Sequence, residues 1–378
     1  MKVDVSLIVP VYNVNKYITR FFDSIDEQTA YEKQINTEII LVDDGSTDDS
    51  GYRCEDYKNN RGAIRIDSVF KHIIVIHQDN KGPAAARNAG IKAASGKYVC
   101  FADPDDYLCP EYVEEAFTVA ENTCADIVLF DAYKDKEDEA GNVAFEEWCH
   151  GDCDLYRIDK DYMIQLQCGM LYSRMAPEGS DTSIAAPWDK IYRRDFLLKN
   201  DLFFREDLKV LDDMVFNFEC MGKAEHVAYH HEKLYHYCVR SSSITNSFKP
   251  DRPIHDRYVF KYLKNAIEEE EHSLKTIFDE DYYELNTFKL EQAYYARVIK
   301  SFAICCRLCF FNEKCRDGNL RLQLKLAKGY MNDEVYSAAF RNIESDMIEW
   351  KLRLVRIAWL LKSPRMLYIL HLLQEMNR

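Results

Sequence analysis

A chain of 378 residues with 47% hydrophobic residues is long enough for one large core and a further module, and its composition excludes a disordered protein. The formal net charge of -15 excludes a nucleic-acid-binding protein, because phosphate backbones demand clustered lysine and arginine. No apolar run approaches the roughly 18 residues that a membrane-spanning helix needs.

The thirteen cysteines fit no small disulfide scaffold in a chain of this length, and no secretory signal precedes the first apolar strand. We therefore expect reduced thiols and a cytoplasmic protein. Four cysteines match no standard zinc-ligand spacing and alternate with leucine and phenylalanine, which favours buried thiols on packed helices: Cys305, Cys306, Cys309 and Cys315.

Apolar runs alternate with helical patterns through the first 130 residues. Strands are predicted over residues 3–9, 38–42, 72–77 and 98–101, and helices over residues 17–28 and 84–94. This alternation predicts a mostly parallel, doubly wound sheet, which binds its ligands at the carboxyl ends of the strands.

Three carboxylates follow the fourth predicted strand within four residues: Asp103, Asp105 and Asp106. Clustered carboxylates repel one another, and a bound divalent cation is an economical counter-charge because hard oxygen ligands suit Mg2+ and Mn2+. Such a cation can hold a diphosphate in turn. The cluster therefore suggests an enzyme that handles a nucleotide-sugar.

Four short motifs occur in order, and each closes a predicted strand or opens a predicted helix: Val9-Pro10-Val11-Tyr12-Asn13, Val42-Asp43-Asp44-Gly45-Ser46-Thr47-Asp48, Asn80-Lys81-Gly82-Pro83-Ala84-Ala85-Ala86-Arg87-Asn88 and Asp103-Pro104-Asp105-Asp106. Further segments follow them: Trp188-Asp189-Lys190, Asp212-Asp213, and Tyr235-His236-Tyr237 with Arg240. Together they resemble the family-two glycosyltransferases with the GT-A fold that build bacterial capsules, exopolysaccharides and other cell-surface glycans. The resemblance covers residues 3–248 and not the last third of the chain.

The resemblance implies an α/β protein with the GT-A fold, in which a Rossmann-like, mostly parallel sheet is flanked by helices and followed by a C-terminal α-helical region. Residues 1–130 would bind the nucleotide-sugar, residues 131–250 the acceptor, and residues 251–378 would form the helical region. The polar stretch 134–147 is expected to be a surface insertion. Beyond it, the periodicity predicts helices over residues 258–271, 281–311, 320–330 and 333–361.

The nucleotide base is the first ligand that the resemblance implies. In the family, the position of Asp44 contacts the base, and its carboxylate accepts a hydrogen bond from the uracil imide. Pro10, Tyr12, Asn13 and Asp43 would shape the same pocket. The competing interpretation is that Asp43 and Asp44 only form a turn, because aspartate favours turns.

Three cations are candidates for contact with the diphosphate: Lys81, Arg87 and Arg240. For Lys81 and Arg87, a structural ion pair is the open alternative, and for Arg87 the partner would be Asp103. Arg240 lies on a loop that closes over the diphosphate in relatives.

The metal site is implied by Asp103 and Asp105, which match the Asp-X-Asp pair of the fold. In the family the second acid is the direct ligand of Mn2+ or Mg2+, and the first contacts ribose or a metal-bound water. Pro104 departs from the small polar residue that is common between them, and it fixes the backbone without abolishing the site.

The general base that the resemblance implies is Asp213, with Asp212 in the place of the usual glutamate. A compatible alternative is that both acids begin a helix, because the dipole of a helix N-terminus favours carboxylates. Trp188 and Lys190 fall in the region that shapes the acceptor site, although a tryptophan in the core is the more frequent outcome.

These parts imply a metal-dependent inverting glycosyltransferase that moves a hexosyl or N-acetylhexosaminyl group from a nucleotide-diphosphate sugar to a glycan or lipid-linked acceptor. A UDP-sugar is the default donor because of the uracil contact. Two alternatives stay open. One is a polyprenyl-phosphate sugar synthase, and the other is a catalytically inactive homologue that scaffolds a glycan-assembly complex.

The last helices carry basic residues among tryptophan, leucine and isoleucine: Lys351, Arg353, Arg356, Lys362 and Arg365. In a strongly acidic chain this pattern predicts peripheral contact with the inner face of the cell membrane. Packing within the chain or in a homodimer is the equally weighted alternative.

Overall fold

The computed structural model describes residues 2–64, 70–137, 143–178, 180, 185–239 and 248–376. The chain forms two compact units. The sheet unit comprises Met1–Met163, Pro177–Asp207 and Asp212–Arg240, and the helical unit comprises Ile164–Ala176, Leu208–Leu211 and Ser241–Arg378.

The described strands form one ten-stranded sheet: β1 (Val5–Val11), β2 (Thr37–Asp43), β3 (Phe70–His77), β4 (Tyr98–Phe101), β5 (Tyr107–Leu108), β6 (Ile127–Glu137), β7 (Val143–Trp148), β8 (Leu155–Ile158), β9 (Lys190–Arg193) and β10 (Val227–Val239). Their order is β3-β2-β1-β4-β9-β6-β10-β5, with β7 beside β6 and β8 beside β10. Strands β3, β2, β1 and β4 run parallel, as do β6 and β10. Strand β9 joins these two groups because it pairs antiparallel with β4 and with β6.

The described helices are α1 (Ile18–Asp26), α2 (Ser50–Ile64), α3 (Pro83–Ala93), α4 (Tyr112–Thr123), α5 (Lys160–Leu171), α6 (Arg194–Lys199), α7 (Asp212–Lys223), α8 (Arg252–Ile277), α9 (Glu280–Cys305), α10 (Leu320–Tyr330), α11 (Glu334–Asn342), α12 (Trp350–Leu360) and α13 (Pro364–Met376). Short 3-10 turns occur at Thr29–Tyr31, Ser173–Met175, Cys315–Gly318 and Ser345–Met347. The predicted mostly parallel sheet with flanking helices and a C-terminal helical region is confirmed.

The first strands are buried on both faces, which explains why they read as continuous apolar runs. All seven residues of β2 are buried, and Val5, Leu7 and Val9 of β1 have no exposed surface. A parallel strand that is covered by helices on both sides has no solvent face and therefore no alternation.

Helix α3 packs closely on β1 because of one glycine. A Cβ atom at Gly90 would lie 2.2 Å from Cγ2 of Ile8, so only glycine permits this approach. The helix begins after Gly82, whose φ of +98° is left-handed, and Pro83 occupies its first turn. This start and this contact fix the position of Arg87 and Asn88 above the sheet.

The core of the helical unit contains a buried carboxylate that ties α8 to α9. Asp256 has no exposed surface, and it accepts hydrogen bonds from Arg252 Nε at 2.6 Å, Ser301 Oγ at 2.5 Å and Cys305 Sγ at 3.3 Å. Tyr294 also donates to the carbonyl of Phe260 at 3.0 Å. These bonds satisfy the buried charge, which would otherwise oppose folding.

The described residues of the stretch 134–147, which is predicted to be a surface insertion, belong to β6 and to the exposed strand β7, where Lys136 pairs with Glu146 at 2.6 Å. The bounds predicted for two helices were wrong. The single helix predicted over residues 333–361 is divided into α11 and α12 by the turn Ser345–Met347. Helix α9 also ends earlier than predicted, and the π-helical turn Cys306–Phe310 follows it.

All thirteen cysteines lie among the described residues and none of them forms a disulfide there, and the four near the end of the chain that were expected to be buried thiols are buried. Among the described residues, none of the helices combines the length and the apolar character that a bilayer crossing requires.

Candidate active site

The acidic cluster lies at the carboxyl end of β4 in a tight turn, which the Asp106 N–H closes onto the carbonyl of Asp103 at 3.0 Å. Asp106 is buried, and its carboxylate accepts from Tyr235 Oη at 2.9 Å and from the Cys238 N–H at 2.8 Å. Burial raises the pKa of Asp106 well above its usual value, and the charges of Asp105 and Asp103 raise it further. Asp106 therefore braces the turn rather than facing a ligand.

Asp103 and Asp105 are the two acids of this turn that solvent reaches. Both are half-buried, and the side chain of Asp103 is 30% exposed. Asp103 is also fixed through its N–H, which donates to Tyr235 Oη at 3.0 Å. Two carboxylates that solvent reaches on one rigid turn fit a hard divalent cation such as Mg2+ or Mn2+.

Arg87 links this turn to the second pair of acids. Its Nη2 atom donates to Asp103 Oδ1 at 3.0 Å, and its Nη1 atom lies 3.9 Å from Asp212 Oδ2. The guanidinium also lies 5.3 Å from the centre of the Phe204 ring. Burial opposes the charge of Arg87, but Asp103, Asp212 and Asp213 together hold its pKa above the usual value. The ion pair with Asp103 that was the alternative for Arg87 is therefore present, and contact between Arg87 and the diphosphate stays a prediction.

Asp212 and Asp213 begin α7, where the helix dipole favours carboxylates. Asp213 Oδ1 accepts from the Met214 N–H at 2.8 Å. Burial raises the pKa of Asp213 to about 6, and the charge of Asp212 adds to this while Arg87 opposes it. Burial likewise raises the pKa of Asp212, against the attraction of Arg87. Within the described residues, Asp212 Oδ2 accepts no hydrogen bond.

Asn88 positions the segment that leads to α7. Its amide donates to the Phe204 carbonyl at 2.8 Å and to Glu206 Oε1 at 3.0 Å, and it accepts from the Phe204 N–H at 2.8 Å. Arg87 and Asn88 are adjacent on α3, so one helix orients both the ion pair and the approach to Asp213.

Asp44 organises a loop with both of its carboxylate oxygens. Oδ1 accepts from Gln78 Nε2 at 2.7 Å and from the Lys81 N–H at 2.9 Å, and Oδ2 accepts from the Gly82 N–H at 2.7 Å. Two carboxylate oxygens offer about four acceptor positions, so about one remains for a ligand. The side chain of Lys81 is exposed at the same loop.

The carboxylate of Asp43 interacts with the backbone of its own turn and with a histidine. Its Oδ1 accepts from the Ser46 N–H at 3.0 Å, and its Oδ2 lies 2.8 Å from His77 Nδ1. The hydrogen bond to Asp43 raises the pKa of His77. The turn interpretation therefore describes Asp43 well.

The end of β1 presents an aromatic ring beside the loop that Asp44 holds. Tyr12 is 47% exposed and Pro10 is half-buried. Asn13, at φ +52°, accepts from the Thr47 N–H at 2.8 Å and so clips the next loop to the strand. Of these residues, Tyr12 offers the open face.

Trp188 and Lys190 lie in the interior. The Trp188 ring is 6% exposed and stacks on Tyr235 with centroids 4.4 Å apart. Lys190 has no exposed surface, and its Nζ donates to Asp189 Oδ1 at 2.5 Å and to the Ala186 carbonyl at 2.6 Å. Burial lowers the pKa of Lys190, against the pull of Asp189. The Trp188 ring therefore lies in the core, which was its more frequent outcome, and the assignment of Trp188 and Lys190 to the acceptor region stays a prediction.

Two neighbours of the acidic turn had no assigned role. Tyr235 holds Asp103 and Asp106 together, and it belongs to the recognised Tyr-His-Tyr motif. Arg20 of α1 donates to the Asp105 carbonyl at 3.5 Å and lies 4.6 Å from the Tyr107 ring centre. No local pattern marks Arg20, since its contacts are distant in sequence. Arg240 lies outside the described residues.

Comparisons with known proteins identify the family of the chain. The model of Glycosyl transferase family 2 matches residues 6–197. The putative glycosyltransferase EpsH of Bacillus subtilis (strain 168) is 30% identical over 325 residues, which is 85% of this chain and 80% of EpsH. The poly(ribitol-phosphate) beta-N-acetylglucosaminyltransferase TarS of Staphylococcus aureus (strain MW2) is 27% identical over 235 residues, which is 62% of this chain and 35% of TarS.

A crystal structure of S. aureus TarS 1-349 in complex with UDP-GlcNAc has the same fold, with a TM-score of 0.61 at 19% identity over 99% of this chain and 92% of that chain. The family match spans the acidic turn, Arg87 and Asp44, and the relatives named as glycosyltransferases extend beyond it. The chain therefore belongs to glycosyltransferase family 2 and is a glycosyltransferase with the GT-A fold.

Proposed function

We propose that this enzyme transfers N-acetylglucosamine or a related hexose from a UDP-sugar to a bacterial surface glycan or lipid-linked acceptor, with inversion and with a divalent metal ion. The observation that carries the proposal is the position of Arg87, which pairs with Asp103 of the acidic turn and faces Asp212 beside Asp213. The Arg87 guanidinium thereby links the acidic turn, which would bind the donor, to the acids of α7, which would include the general base.

Asp213 is the proposed general base. Its pKa of about 6 leaves it largely ionised at neutral pH and still basic enough to accept a proton from an acceptor hydroxyl. That hydroxyl then attacks the anomeric carbon from the face opposite the diphosphate, so an α-linked donor gives a β-linked product. TarS, which is named a beta-N-acetylglucosaminyltransferase, is consistent with this outcome.

Asp105 and Asp103 are the residues that would hold Mg2+ or Mn2+. The ion would neutralise negative charge as it develops on the departing diphosphate. Arg87 keeps Asp103 oriented on the turn through its 3.0 Å hydrogen bond. Arg240 is retained as a candidate for closing over the diphosphate.

The uridine is proposed to lie between Tyr12 and the loop held by Asp44. Tyr12 offers an exposed ring at the end of β1, and Asp44 has about one acceptor position left for the uracil imide. Lys81, which is exposed on that loop, is a candidate for the diphosphate. The complex of TarS with UDP-GlcNAc makes UDP-GlcNAc the first donor to test.

Peripheral membrane contact through α12 and α13 is proposed to be chiefly apolar. Three of the tail cations already bind main-chain carbonyls of the helical unit: Arg353 that of Ile348 at 2.9 Å, Arg356 that of Phe340 at 3.0 Å, and Lys362 that of Met331 at 3.0 Å. Exposed apolar side chains remain on both helices and at Leu361 between them: Trp350, Ile357, Leu360, Ile369, Leu372, Leu373 and Met376. A homodimer through the same surface is the alternative.

The two other functions are less well supported. A polyprenyl-phosphate sugar synthase would use the same donor site with a phosphate acceptor, and an inactive scaffold would not need a base with a raised pKa beside a buried arginine. The presence of Asp105, Asp213 and Arg87 together favours catalysis.

The test is the release of nucleoside diphosphate from a panel of nucleotide-sugars with Mn2+, Mg2+ or EDTA. An Asp213→Asn variant should lose about a hundred- to ten-thousand-fold in turnover, which is the usual contribution of a general base. Asp207→Asn, which changes a carboxylate that is 62% exposed, is the matched control. Failure of every donor to bind or react would overturn the proposal.

A further inference from the structure

The helical unit carries a basic segment in an otherwise acidic chain. Between residues 314 and 328 the sequence has one acid, Asp317, and five cations: Lys314, Arg316, Arg321, Lys325 and Lys328. The whole chain has a net charge of -15, so this reversal is local. A polyanion is the natural ligand for such a segment.

Part of this segment lines a groove of about 560 Å3 with residues of α8, of α10 and of the turn after α10. Four of the groove residues on α10 share one helical face at i, i+3, i+4 and i+7: Leu322, Lys325, Leu326 and Gly329. Gly329 opens the face because no atom lies within 4 Å of the position of a Cβ atom. The groove is therefore apolar along its floor.

Cationic side chains also line the groove. Arg316 and Lys325 are exposed at the groove, and Arg257 lines it from α8. Asp333 is an acid of the lining, and its Oδ2 lies 2.8 Å from Arg257 Nε. That pair offsets one positive charge, so Arg316 and Lys325 leave the groove with a net positive charge.

Arg316 is held at the groove by an unusual backbone. Arg316 and Asp317 both have φ of +52°, and Gly318 has φ of +70°. A non-glycine residue in the left-handed region costs of order 1–2 kcal/mol, so this turn is maintained against strain. It directs the chain into α10, whose first turn Asn319 caps by accepting from the Leu322 N–H.

A second cavity of about 110 Å3 neighbours the groove, and Arg257 lines both. Its other lining residues are Ile254, Tyr258 and Lys261. Tyr258 is 65% exposed, and Lys261 is exposed as well. The two cavities together alternate cations with apolar and aromatic surface.

We infer that this groove binds a phosphate-bearing polyol or glycan chain, which is the acceptor of the enzyme. Spaced cations suit a chain with a phosphate in each repeat, because Arg and Lys bind phosphate oxygens through charge-assisted hydrogen bonds. The leucine side chains and the Tyr258 ring suit the carbon skeleton between the phosphates. The interpretation of the groove as an acceptor site rests on the proposed glycosyl transfer. The binding of a phosphate-bearing chain to the groove does not depend on it.

The test is the binding of fluorophore-labelled inorganic polyphosphate to the full chain at about 0.15 M salt, where the Debye length is about 8 Å, followed by anisotropy. Reversing both exposed groove cations in Arg316→Glu/Lys325→Glu should weaken binding at least about tenfold, since two attractions become repulsions. Arg321→Glu/Lys328→Glu makes the same change of charge on exposed residues of the same segment that do not line the groove. That control should stay within about threefold of the unmodified chain, because screening weakens distant charges.

Three outcomes would overturn the inference. They are absence of polyphosphate binding, an equal loss in both double variants, and binding to uncharged dextran as strong as to polyphosphate. A parallel measurement with phosphatidylglycerol vesicles separates the sources of phosphate. Loss of vesicle binding in the groove variant alone, with polyphosphate binding kept, would assign the groove to a lipid headgroup instead.

The release of UDP from UDP-GlcNAc without acceptor keeps the two proposals distinguishable. The groove variant should retain this release, because no groove residue is part of the donor site. If polyphosphate binds selectively but no donor reacts, the proposed function fails and the groove remains a phosphate-polymer site. If donors react but polyphosphate does not bind, the groove inference fails alone.

Discussion

The guanidinium of Arg87 donates a 3.0 Å hydrogen bond to Asp103, and the bond joins α3 to the acidic turn after β4. The same guanidinium faces Asp212 at 3.9 Å, so a single buried cation balances acids from two distant segments. Removing it would leave carboxylates without their counter-charge, and stability and catalysis should both depend on it.

Arg87→Met should lower the free energy of unfolding by about 3–5 kcal/mol, the usual cost of removing one partner of a buried ion pair. Donor turnover should fall as well, because Asp103 loses its orientation. Urea denaturation with a parallel UDP-release assay measures both. Lys92→Met, at an exposed position of the same helix, is the control and should unfold like the unmodified chain. If the free energy of unfolding of Arg87→Met equals that of the unmodified chain, the ion pair between Arg87 and Asp103 does not contribute to stability.

The turnover of the enzyme should rise with pH through about 6 and then level off. The pKa of Asp213 is raised to about 6, and only its ionised form accepts a proton from the acceptor. In Arg87→Lys the guanidinium that lowers this pKa is replaced by a more mobile ammonium, so the acid limb should move to higher pH. The measurement is kcat against pH with saturating donor and acceptor. An acid limb at pH 4, near the ordinary aspartate value, would remove Asp213 from the role of base.

Asp213→Asn should be more stable than the unmodified chain above pH 6 and equally stable near pH 4. Because the folded pKa of about 6 exceeds the usual 3.8, the folded state holds a proton that the unfolded chain has lost, and folding loses stability as pH rises through this window. The gain at neutral pH should be of order 1–3 kcal/mol. Thermal unfolding of the two proteins at both pH values gives the comparison, with Asp207→Asn as control. A variant that is less stable at neutral pH would contradict the raised pKa.

The sequence predicts those parts of the site that local pattern determines. The acidic turn follows a short apolar run, so Asp103 and Asp105 could be placed at a strand end without knowing the fold. The contacts of Asp44 could not be predicted in the same way, because its hydrogen-bond donors lie 34 to 38 residues further along the chain. The motif located Asp44 correctly, while the packing decided that most of its acceptor positions serve a loop.

The same distinction explains which parts of the fold could not be predicted. Strand β9 lies between β4 and β6, and nothing in the sequence near Lys190 indicates partners about 60 to 95 residues earlier. Burial of the Trp188 ring depends on Tyr235, which is 47 residues away. The break between α11 and α12 occurs without glycine or proline, at Ser345–Met347, where Arg356 Nη1 reaches Ser345 Oγ at 2.5 Å. Tertiary contacts, and not propensity, end the helix there.

Asp44→Asn should weaken UDP binding and loosen the loop that Asp44 holds. One carboxylate oxygen becomes an NH2 group, which would face N–H donors and leave one of them unsatisfied at a cost of about 1–3 kcal/mol. Isothermal titration with UDP should show at least about a tenfold weaker Kd. Asp49→Asn changes an exposed acid of the following turn and is the control. Equal affinity of Asp44→Asn and the unmodified chain would remove Asp44 from the nucleotide pocket.

Gly90→Ala should destabilise the sheet unit and lower donor affinity together. Its new Cβ atom would lie 2.2 Å from Ile8 Cγ2, so α3 must move away from β1, at a cost of about 1–3 kcal/mol for overpacking. Because α3 carries Arg87 and Asn88, the shift also displaces the ion pair with Asp103. Denaturant unfolding and UDP titration measure the two effects. Ile8→Ala removes the clashing methyl group, so the double variant Ile8→Ala/Gly90→Ala should recover UDP affinity relative to Gly90→Ala, even though a cavity keeps its stability low. Loss of stability without any change in UDP affinity would mean that α3 positions Arg87 independently of its contact with β1.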